Sequence, residues 1–260
     1  MYKGAWVSLV IPAYNEERLI GATLAGVPSL VDRIFVIDDC STDQTPIIVQ
    51  EMAKKDNRIK LIQHATNQGP GGGIITGYLA SARERYDIAA VVGGDNQMGF
   101  EYLPELLDPI IAGEADYTKG NRFLKGRPKE MPFKRLFGNF TLSWMTKIAS
   151  GYWRIFDTQD GYTAISRRAI EAINWTEFWR GYGYVSDFLI RFNTYRIRIK
   201  DIYRKEIYLP GEKQSQIKIG RYIRLVGPMI IRGFFWRLKQ KYFQSPPKNL
   251  HRIGKMELKR

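Results

Sequence analysis

The sequence predicts an α/β protein built on a mostly parallel sheet flanked by helices. Apolar strand-like runs alternate with helical patterns through the first half of the chain, which is typical of right-handed βαβ units. Polar side chains follow each run, as they do where a parallel sheet binds a ligand beyond the carboxyl ends of its strands. With 260 residues, 44% of them hydrophobic, the chain can bury a full core.

Four strands are predicted: WVSLVIPA at 6–13, RIFVIDD at 33–39, IKLIQHA at 59–65 and IAAVVGG at 88–94. Helical patterns lie between them, near residues 16–30, 43–56 and 72–86. The polar residues after the strands are Tyr14, Asn15 and Glu16, then Asp38 and Asp39, then residues 67–73, then Asp95 and Gln97. Because parallel strands end at one edge of a sheet, we expect these residues to lie together.

The segment NQGPGGGIITGY, residues 67–78, places glycines and a proline just ahead of a helix. Its amides suit a phosphate at a helix N-terminus. A tight turn before a packed helix is an equal alternative, because the segment matches neither the dinucleotide nor the Walker pattern.

The net charge of +14 is unevenly distributed. Residues 1–118 hold 9 Lys and Arg against 16 Asp and Glu, residues 119–212 hold 18 against 9, and residues 213–260 hold 13 against 1. An acidic first part suits a divalent metal held by carboxylates, and a basic second part suits nucleic acid or lipid headgroups. A tail that is basic only for solubility is the alternative.

Two basic segments also carry apolar side chains. Residues 119–135 interleave Lys and Arg with Phe, which suits nucleic acid or a membrane interface. The segment after residue 217 has no apolar run near the ~20 residues that cross a bilayer. On helices broken at Pro228, one side carries Arg221, Arg224, Arg232 and Lys239, and the other largely carries Tyr222, Val226, Met229, Ile230 and Phe234. Such helices lie in the plane of an anionic membrane or pack on the domain.

Six motifs occur in order: VIPAYNEE, VIDDCSTDQT, NQGPGGG, GGDNQM, GNRF and FDTQDGYTAIS. Over about the first 215 residues they resemble glycosyltransferase family 2, and within it the polyprenyl-phosphate glycosyltransferases, the group that includes dolichyl-phosphate mannose synthase. The resemblance implies a GT-A fold with a Rossmann-like sheet, a nucleotide-diphosphate sugar donor, Mg²⁺ or Mn²⁺, and transfer with inversion. It also implies a polyprenyl phosphate acceptor.

The resemblance implies donor-site residues as well. It places the nucleotide-sugar on Pro12, Tyr14, Glu16, Asp38, Asp39, Asn67, Gly69 and Asp95, with Asp39 reaching the base or ribose. A capped turn is the alternative for the Asp pair. The family usually has Asp-x-Asp followed by x-Gln, and this chain has Gly93 at the first Asp position. Asp95 and Gln97 are then the metal ligands, together with diphosphate oxygens and water.

The acceptor phosphate is implied to lie on Arg122, Arg135, Asn139, Lys213 and Ser215. Arginine suits this task because its rigid fork meets phosphate in a bidentate way. A phosphate acceptor is already anionic, whereas a hydroxyl acceptor needs a general base. Asp187 is the candidate base and Asp157 a donor-sugar contact; a helix cap or a packed turn is the alternative for each.

The predicted organisation is a GT-A domain at 1–215 and a basic amphipathic membrane-associated tail at 216–260. Within the domain, residues 1–118 bind the nucleotide-sugar and residues 119–215 bind the acceptor. We expect a peripheral enzyme on the cytoplasmic membrane face, with no transmembrane segment and no nucleic-acid partner. Two alternatives stay open: a family 2 enzyme with a saccharide hydroxyl acceptor, and a non-catalytic module that binds polyanions or lipid. Cys40, the single cysteine, favours a reducing compartment.

Overall fold

A computed structural model describes residues 1–126, 131, 133–205 and 219–243, without the side chains of 133–135, 219–221 and 223. Its strands are β1 (Val7–Ala13), β2 (Arg33–Asp38), β3 (Ile59–Gln63), β4 (Ile88–Val91), β5 (Tyr117–Asn121), β6 (Thr163–Ser166) and β7 (Ile199–Tyr203). They form one sheet in the order β3-β2-β1-β4-β6-β5-β7. Only β6 runs antiparallel to its neighbours within this sheet, so the mostly parallel prediction is confirmed.

The helices are α1 (Ile20–Ala25), α2 (Thr45–Lys55), α3 (Pro70–Arg83), α4 (Leu103–Ile111), α5 (Phe133–Ser150), α6 (Arg167–Ala172), α7 (Tyr184–Thr194) and α8 (Ile219–Phe243). Short 3₁₀ turns lie at Phe100–Tyr102 and Trp175–Glu177. The four strands and three helices predicted for the first half are therefore present, with α1 shorter than its pattern.

The core lies on both faces of the sheet, because β1, β2 and β4 carry apolar residues at successive positions and helices cover each side. One face packs on α3, α6 and α7, and the other on α1, α2 and α4. Helix α3 lies very close to β1: a Cβ on Gly77 would lie 2.1 Å from Val10 Cγ1. A larger residue at position 77 would therefore push the helix off the sheet.

Helix α8 continues through Pro228, where the sequence pattern predicts a break. Its inward side chains Val226, Met229 and Ile230 pack in one apolar cluster with Leu142 of α5 and Ile190 of α7. These contacts hold the helix on both sides of the proline and outweigh the one backbone hydrogen bond that proline removes.

The outer face of α8 exposes the basic residues Arg224, Arg232 and Lys239. Within the described residues, no helix combines the length and the apolar character needed to cross a bilayer.

Candidate active site

The strand order reverses at β1, because β2 and β3 extend the sheet on one side and β4 on the other. In open α/β sheets a ligand binds in the crevice at such a point. The end of β1 and the loop after β4 lie close together here: a Cβ on Gly94 would lie 3.4 Å from the carbonyl oxygen of Pro12. Thr23 Oγ1 also donates to the Gly94 carbonyl at 3.0 Å. The residues predicted after β1 and β4 therefore meet at one crevice.

The turn after β1 is tied to the loop after β2. The Asn15 amide donates to Ser41 Oγ at 3.0 Å, and the Glu16 amide donates to Thr45 Oγ1 at 2.8 Å. Asn15 has a φ of 55°, which turns the chain sharply after the strand. Tyr14, the first residue after β1, is left 48% exposed.

Asp95 lies in the turn after β4, and its Oδ1 accepts a hydrogen bond from the Gln97 amide at 3.2 Å. A Cβ on Gly93 would lie 3.0 Å from the same oxygen, so the position of the family's first Asp directly adjoins Asp95. Across the described part of the chain, no group of three His, Cys, Asp or Glu side chains can hold a metal. One carboxylate with diphosphate oxygens and water nevertheless suits Mg²⁺ or Mn²⁺, so the residues fit a metal held jointly with the donor.

We expect Gly93→Asp to tighten Mn²⁺ binding in the absence of nucleotide by about tenfold, because a second carboxylate would adjoin Asp95. Asp95 must move by a few tenths of an ångström to admit it. Calorimetric titration of Mn²⁺ measures the change, and Gly93→Asn, which adds similar bulk without charge, is the matched control. Equal affinities in the two variants would contradict the expectation.

Asp38 and Asp39 are both buried at the end of β2. Asp38 Oδ1 accepts from the Ser41 amide, and its Oδ2 from Gln63 Nε2, each at 3.3 Å. Asp39 makes shorter bonds to three donors: the amides of Gln68 and Gly69, at 2.8 and 2.7 Å, and Nδ1 of His64, at 2.7 Å. Asp39 therefore organises the loop that precedes α3.

The glycines of that loop serve close packing. Gly69 has a φ of 82°, and its Cβ position lies 2.7 Å from the carbonyl oxygen of Arg180. The Gly71 position lies equally close to the carbonyl of Trp179, and the Gly72 amide donates to the Arg180 carbonyl at 3.0 Å. The amides of Gly69 and Gly72 are thus used within the protein, as the tight-turn alternative predicts. Asn67 Nδ2 supports the loop by donating to the Asp39 carbonyl at 3.1 Å.

Arg122 and Asp157 form a buried ion pair. The Arg122 side chain donates from Nε and from Nη2 to the two carboxylate oxygens of Asp157, each at 2.7 Å, and its amide adds a bond at 2.9 Å. Burial alone would raise the pKa of Asp157, but the Arg122 guanidinium outweighs it and lowers the pKa to about 2. The resemblance placed Arg122 on the acceptor phosphate and Asp157 on the donor sugar, and the structure pairs the two with each other. Arg122 is only 5% exposed.

More buried charges surround this pair. Lys119, which the sequence pattern assigned to a basic loop, is fully buried within β5 and donates to the Phe156 carbonyl at 2.6 Å and to Asp201 at 3.2 Å. Arg204 donates to Asp160 at 2.7 Å, and Asp160 lies 3.9 Å from Arg122. Sequence reasoning missed Asp160, Asp201 and Arg204. The sequence signal that could have indicated them is Lys119. It lies inside a strand-like segment, and a charge buried there requires an acidic partner.

Asp187 is buried in the first turn of α7. Its Oδ2 accepts from the Trp179 amide at 2.8 Å and from Arg191 Nε at 2.9 Å. Burial raises the pKa of Asp187 although Arg191 opposes the shift. These contacts hold the 179–181 loop that packs on the glycine segment, which agrees with the packed-turn alternative.

The remaining acceptor-site predictions fall partly outside the description. Asn139 lies on α5, where its Nδ2 contacts Met131 Sδ at 3.7 Å. Arg135 lies in the first turn of α5 without a described side chain, and Lys213 and Ser215 lie outside the described residues.

An apolar groove of about 640 Å³ lies between α5 and the segment after β5. It is lined by Asn121, Phe123, Leu124, Gly126, Leu136, Phe137, Phe140, Arg154 and Phe156. Helix α5 exposes Phe137, Phe140, Trp144 and Ile148 at helical spacing, and the first two of these also line the groove. We call these four residues the α5 stripe. Asn121 lines the groove and directly precedes the buried Arg122 in the sequence.

Comparison with known proteins identifies relatives of the chain. A model described as Glycosyl transferase family 2 matches residues 8–173. The chain is 29% identical over 216 residues to the UDP-N-acetylglucosamine–dolichyl-phosphate N-acetylglucosaminyltransferase of Methanococcus voltae, a match that covers 78% of this chain and 86% of the relative. It is 28% identical over 172 residues to the polyprenol monophosphomannose synthase of Mycolicibacterium smegmatis, covering 64% and 63%.

Among solved structures, one of glucosyl-3-phosphoglycerate synthase from Mycobacterium tuberculosis, in complex with Mn²⁺, UDP and glucosyl-3-phosphoglycerate, superposes with a TM-score of 0.67. The superposition covers 89% of this chain and 81% of that chain at 19% identity. This likeness confirms the predicted fold class.

Proposed function

Since the chain belongs to glycosyl transferase family 2, we propose that it transfers a sugar from a nucleotide-diphosphate sugar to a polyprenyl phosphate. The names of its two relatives support this acceptor, because one uses dolichyl phosphate and the other makes a polyprenol monophosphomannose. The single observation that carries the proposal is the apolar groove beside β5. Its walls are mainly aromatic and aliphatic, which suits an isoprenoid chain, whereas a saccharide needs polar partners.

In the proposed reaction an oxygen of the acceptor phosphate attacks the anomeric carbon. The new C–O bond forms as the bond to the nucleoside diphosphate breaks, with inversion. Asp95 and Gln97 would hold the Mg²⁺ or Mn²⁺, which supplies positive charge to the departing diphosphate. Because the acceptor is already anionic, no general base is required. This agrees with the structural contacts of Asp187.

The test is transfer of radiolabelled sugar into organic-extractable lipid. Purified protein is given polyprenyl phosphate and a panel of UDP-, GDP- and TDP-sugars, with Mg²⁺, Mn²⁺ or EDTA. We expect labelled lipid from one donor, and loss of the label with EDTA. Labelled oligosaccharide in place of lipid would move the assignment to a saccharide acceptor.

We further propose that the enzyme works as a peripheral protein on the cytoplasmic face of an anionic membrane, as two domains divided near residue 215. Two observations support membrane contact. Phe137 and Phe140 of the α5 stripe line the groove, and Trp153, three residues after the end of α5, is 62% exposed. Lys147 lies 5.3 Å from the Trp144 ring, and Arg154 lines the groove, so cations flank the apolar surface. This is the composition of surfaces that bind anionic lipid headgroups.

We expect Trp144→Ser to weaken binding to phosphatidylglycerol vesicles by about tenfold, because the indole would be buried among lipid headgroups. Cosedimentation with the vesicles measures the effect. Trp6→Ser is the matched control, since Trp6 is similarly exposed but lies directly before β1, outside both α5 and the groove. Equal losses in both variants would argue against docking through α5.

A further inference from the structure

His64 follows β3, and its imidazole is buried between two elements, with the side chain 6% exposed. Nδ1 lies 2.7 Å from Asp39 Oδ1, and Nε2 lies 2.9 Å from Thr76 Oγ1 on α3. A carboxylate oxygen accepts hydrogen bonds, so the contact with Asp39 requires the hydrogen of His64 on Nδ1. Thr76 completes the contact on the other ring nitrogen. His64 therefore fastens the carboxylate of Asp39 to helix α3.

The two oxygens of Asp39 are unequally used. Oδ1 accepts from His64 Nδ1 and from the Gln68 amide, whereas Oδ2 accepts from the Gly69 amide. Each carboxylate oxygen accepts about two hydrogen bonds. Oδ1 is therefore filled by these protein donors, and Oδ2 keeps one acceptor position for a further donor.

We propose that His64 is a positioning residue for the nucleotide. It fills and fixes Oδ1, so that Oδ2 receives a hydroxyl or N–H group of the nucleoside in one defined orientation. This rests on the proposed function, in which Asp39 contacts the base or ribose. Asp39 also accepts hydrogen bonds from the amides of Gln68 and Gly69. A change in the orientation of its carboxylate would therefore also displace the loop that packs on Arg180.

This role predicts an effect on donor binding that differs from a loss of folding. Removing the Nδ1 donor lets the carboxylate turn, and a carboxylate that samples several orientations binds its ligand less well. Among the described residues, the side-chain hydrogen-bond partners of His64 are Asp39 and Thr76, and neither Asp95 nor Arg122 is one of them. The KM for the donor should therefore rise, while kcat at saturating donor and the KM for the acceptor should stay close to those of the wild type.

The test compares His64→Leu, which removes the donor to Asp39, with His64→Asn, whose amide nitrogen takes the place of Nδ1. Binding of UDP, GDP and TDP in the presence of Mn²⁺ is measured by calorimetry on each full-length protein, and thermal unfolding is recorded in parallel. For the nucleotide that binds the wild type most tightly, we expect His64→Leu to raise Kd by about tenfold. His64→Asn should stay within about threefold of the wild type.

Equal nucleotide affinity in the wild type and His64→Leu would overturn the inference while leaving the proposed function intact. Loss of affinity in His64→Leu without rescue by His64→Asn would also overturn it, because packing and not the hydrogen bond would then be responsible. A wild-type protein that binds none of the three nucleotides would instead count against the proposed function.

Discussion

Replacing Asp95 by Asn is expected to lower the rate of sugar transfer by about 10²-fold or more. Asn keeps the size of the side chain and an oxygen able to accept from the Gln97 amide, but it removes the negative charge that we propose for holding the metal. Metal ions contribute several kcal/mol to stabilising the charge of a departing diphosphate, and each 1.4 kcal/mol corresponds to about tenfold in rate. Transfer of labelled sugar to polyprenyl phosphate, measured over a range of Mn²⁺ concentrations, gives the rate.

The matched control for Asp95→Asn is Glu114→Gln. It removes another carboxylate, one that is 57% exposed and pairs with Lys200 away from the crevice. Its activity should equal that of the wild type. If Asp95→Asn keeps full activity with the same Mn²⁺ dependence, Asp95 is not the metal ligand and the assignment of the site fails.

Arg122→Met is expected to destabilise the fold by about 3–5 kcal/mol, because it leaves Asp157 buried without its bidentate partner. Urea unfolding measures the loss. Arg168→Met is the matched control: Arg168 is 43% exposed, and its partner Asp116 keeps Arg198, so its loss should stay below about 1 kcal/mol. A normally stable Arg122→Met that has lost transfer activity would instead favour direct contact of Arg122 with the acceptor phosphate.

The pH dependence provides a second signature of this ion pair. Burial raises the pKa of Asp157, but Arg122 lowers it to about 2, below the reference value of 3.8. The wild type therefore keeps this stabilisation above about pH 4 and loses it as pH falls through about 2. In Arg122→Met the main opposing charge is removed, so we expect burial to raise the pKa of Asp157 and protonation to relieve the buried charge. The stability difference between the two proteins should be smaller at pH 3 than at pH 7.

The buried charges show why part of the site is not readable from the chain. Arg122 and Asp157 are far apart in sequence, as are Lys119 and Asp201, and local pattern places Lys119 and Arg122 together in a basic segment. The acidic partners, Asp201 of β7 and Asp157 before β6, come close to these two residues only when the strands assemble into the sheet. Once buried, a charge must be paired, so Lys119 and Arg122, two of the basic residues that suggested a polyanion surface, become part of the interior.

The glycine segment gives a similar result. Its composition suits phosphate binding and close packing equally, and the structure decides for packing at Gly69 and Gly71 because the backbone at 179 and 180 lies against them. His64 carried no signal in the sequence, and its meaning comes from Asp39 and Thr76 on either side of the ring. The continuity of α8 through Pro228 likewise depends on contacts with α5 and α7.

The sequence by itself determined the parallel half of the sheet and the line of polar residues at its carboxyl edge, from Tyr14 to Gln97. Both follow from local pattern, because apolar runs form buried strands and parallel strands end together. Only the tertiary structure decided which of those residues contact one another, which charges are buried as pairs, and that α5 presents an apolar stripe beside a groove. Those outcomes depend on packing between distant segments, which sets burial and partner geometry. A local pattern such as the charge of Lys119 indicates that a partner is needed but does not identify it.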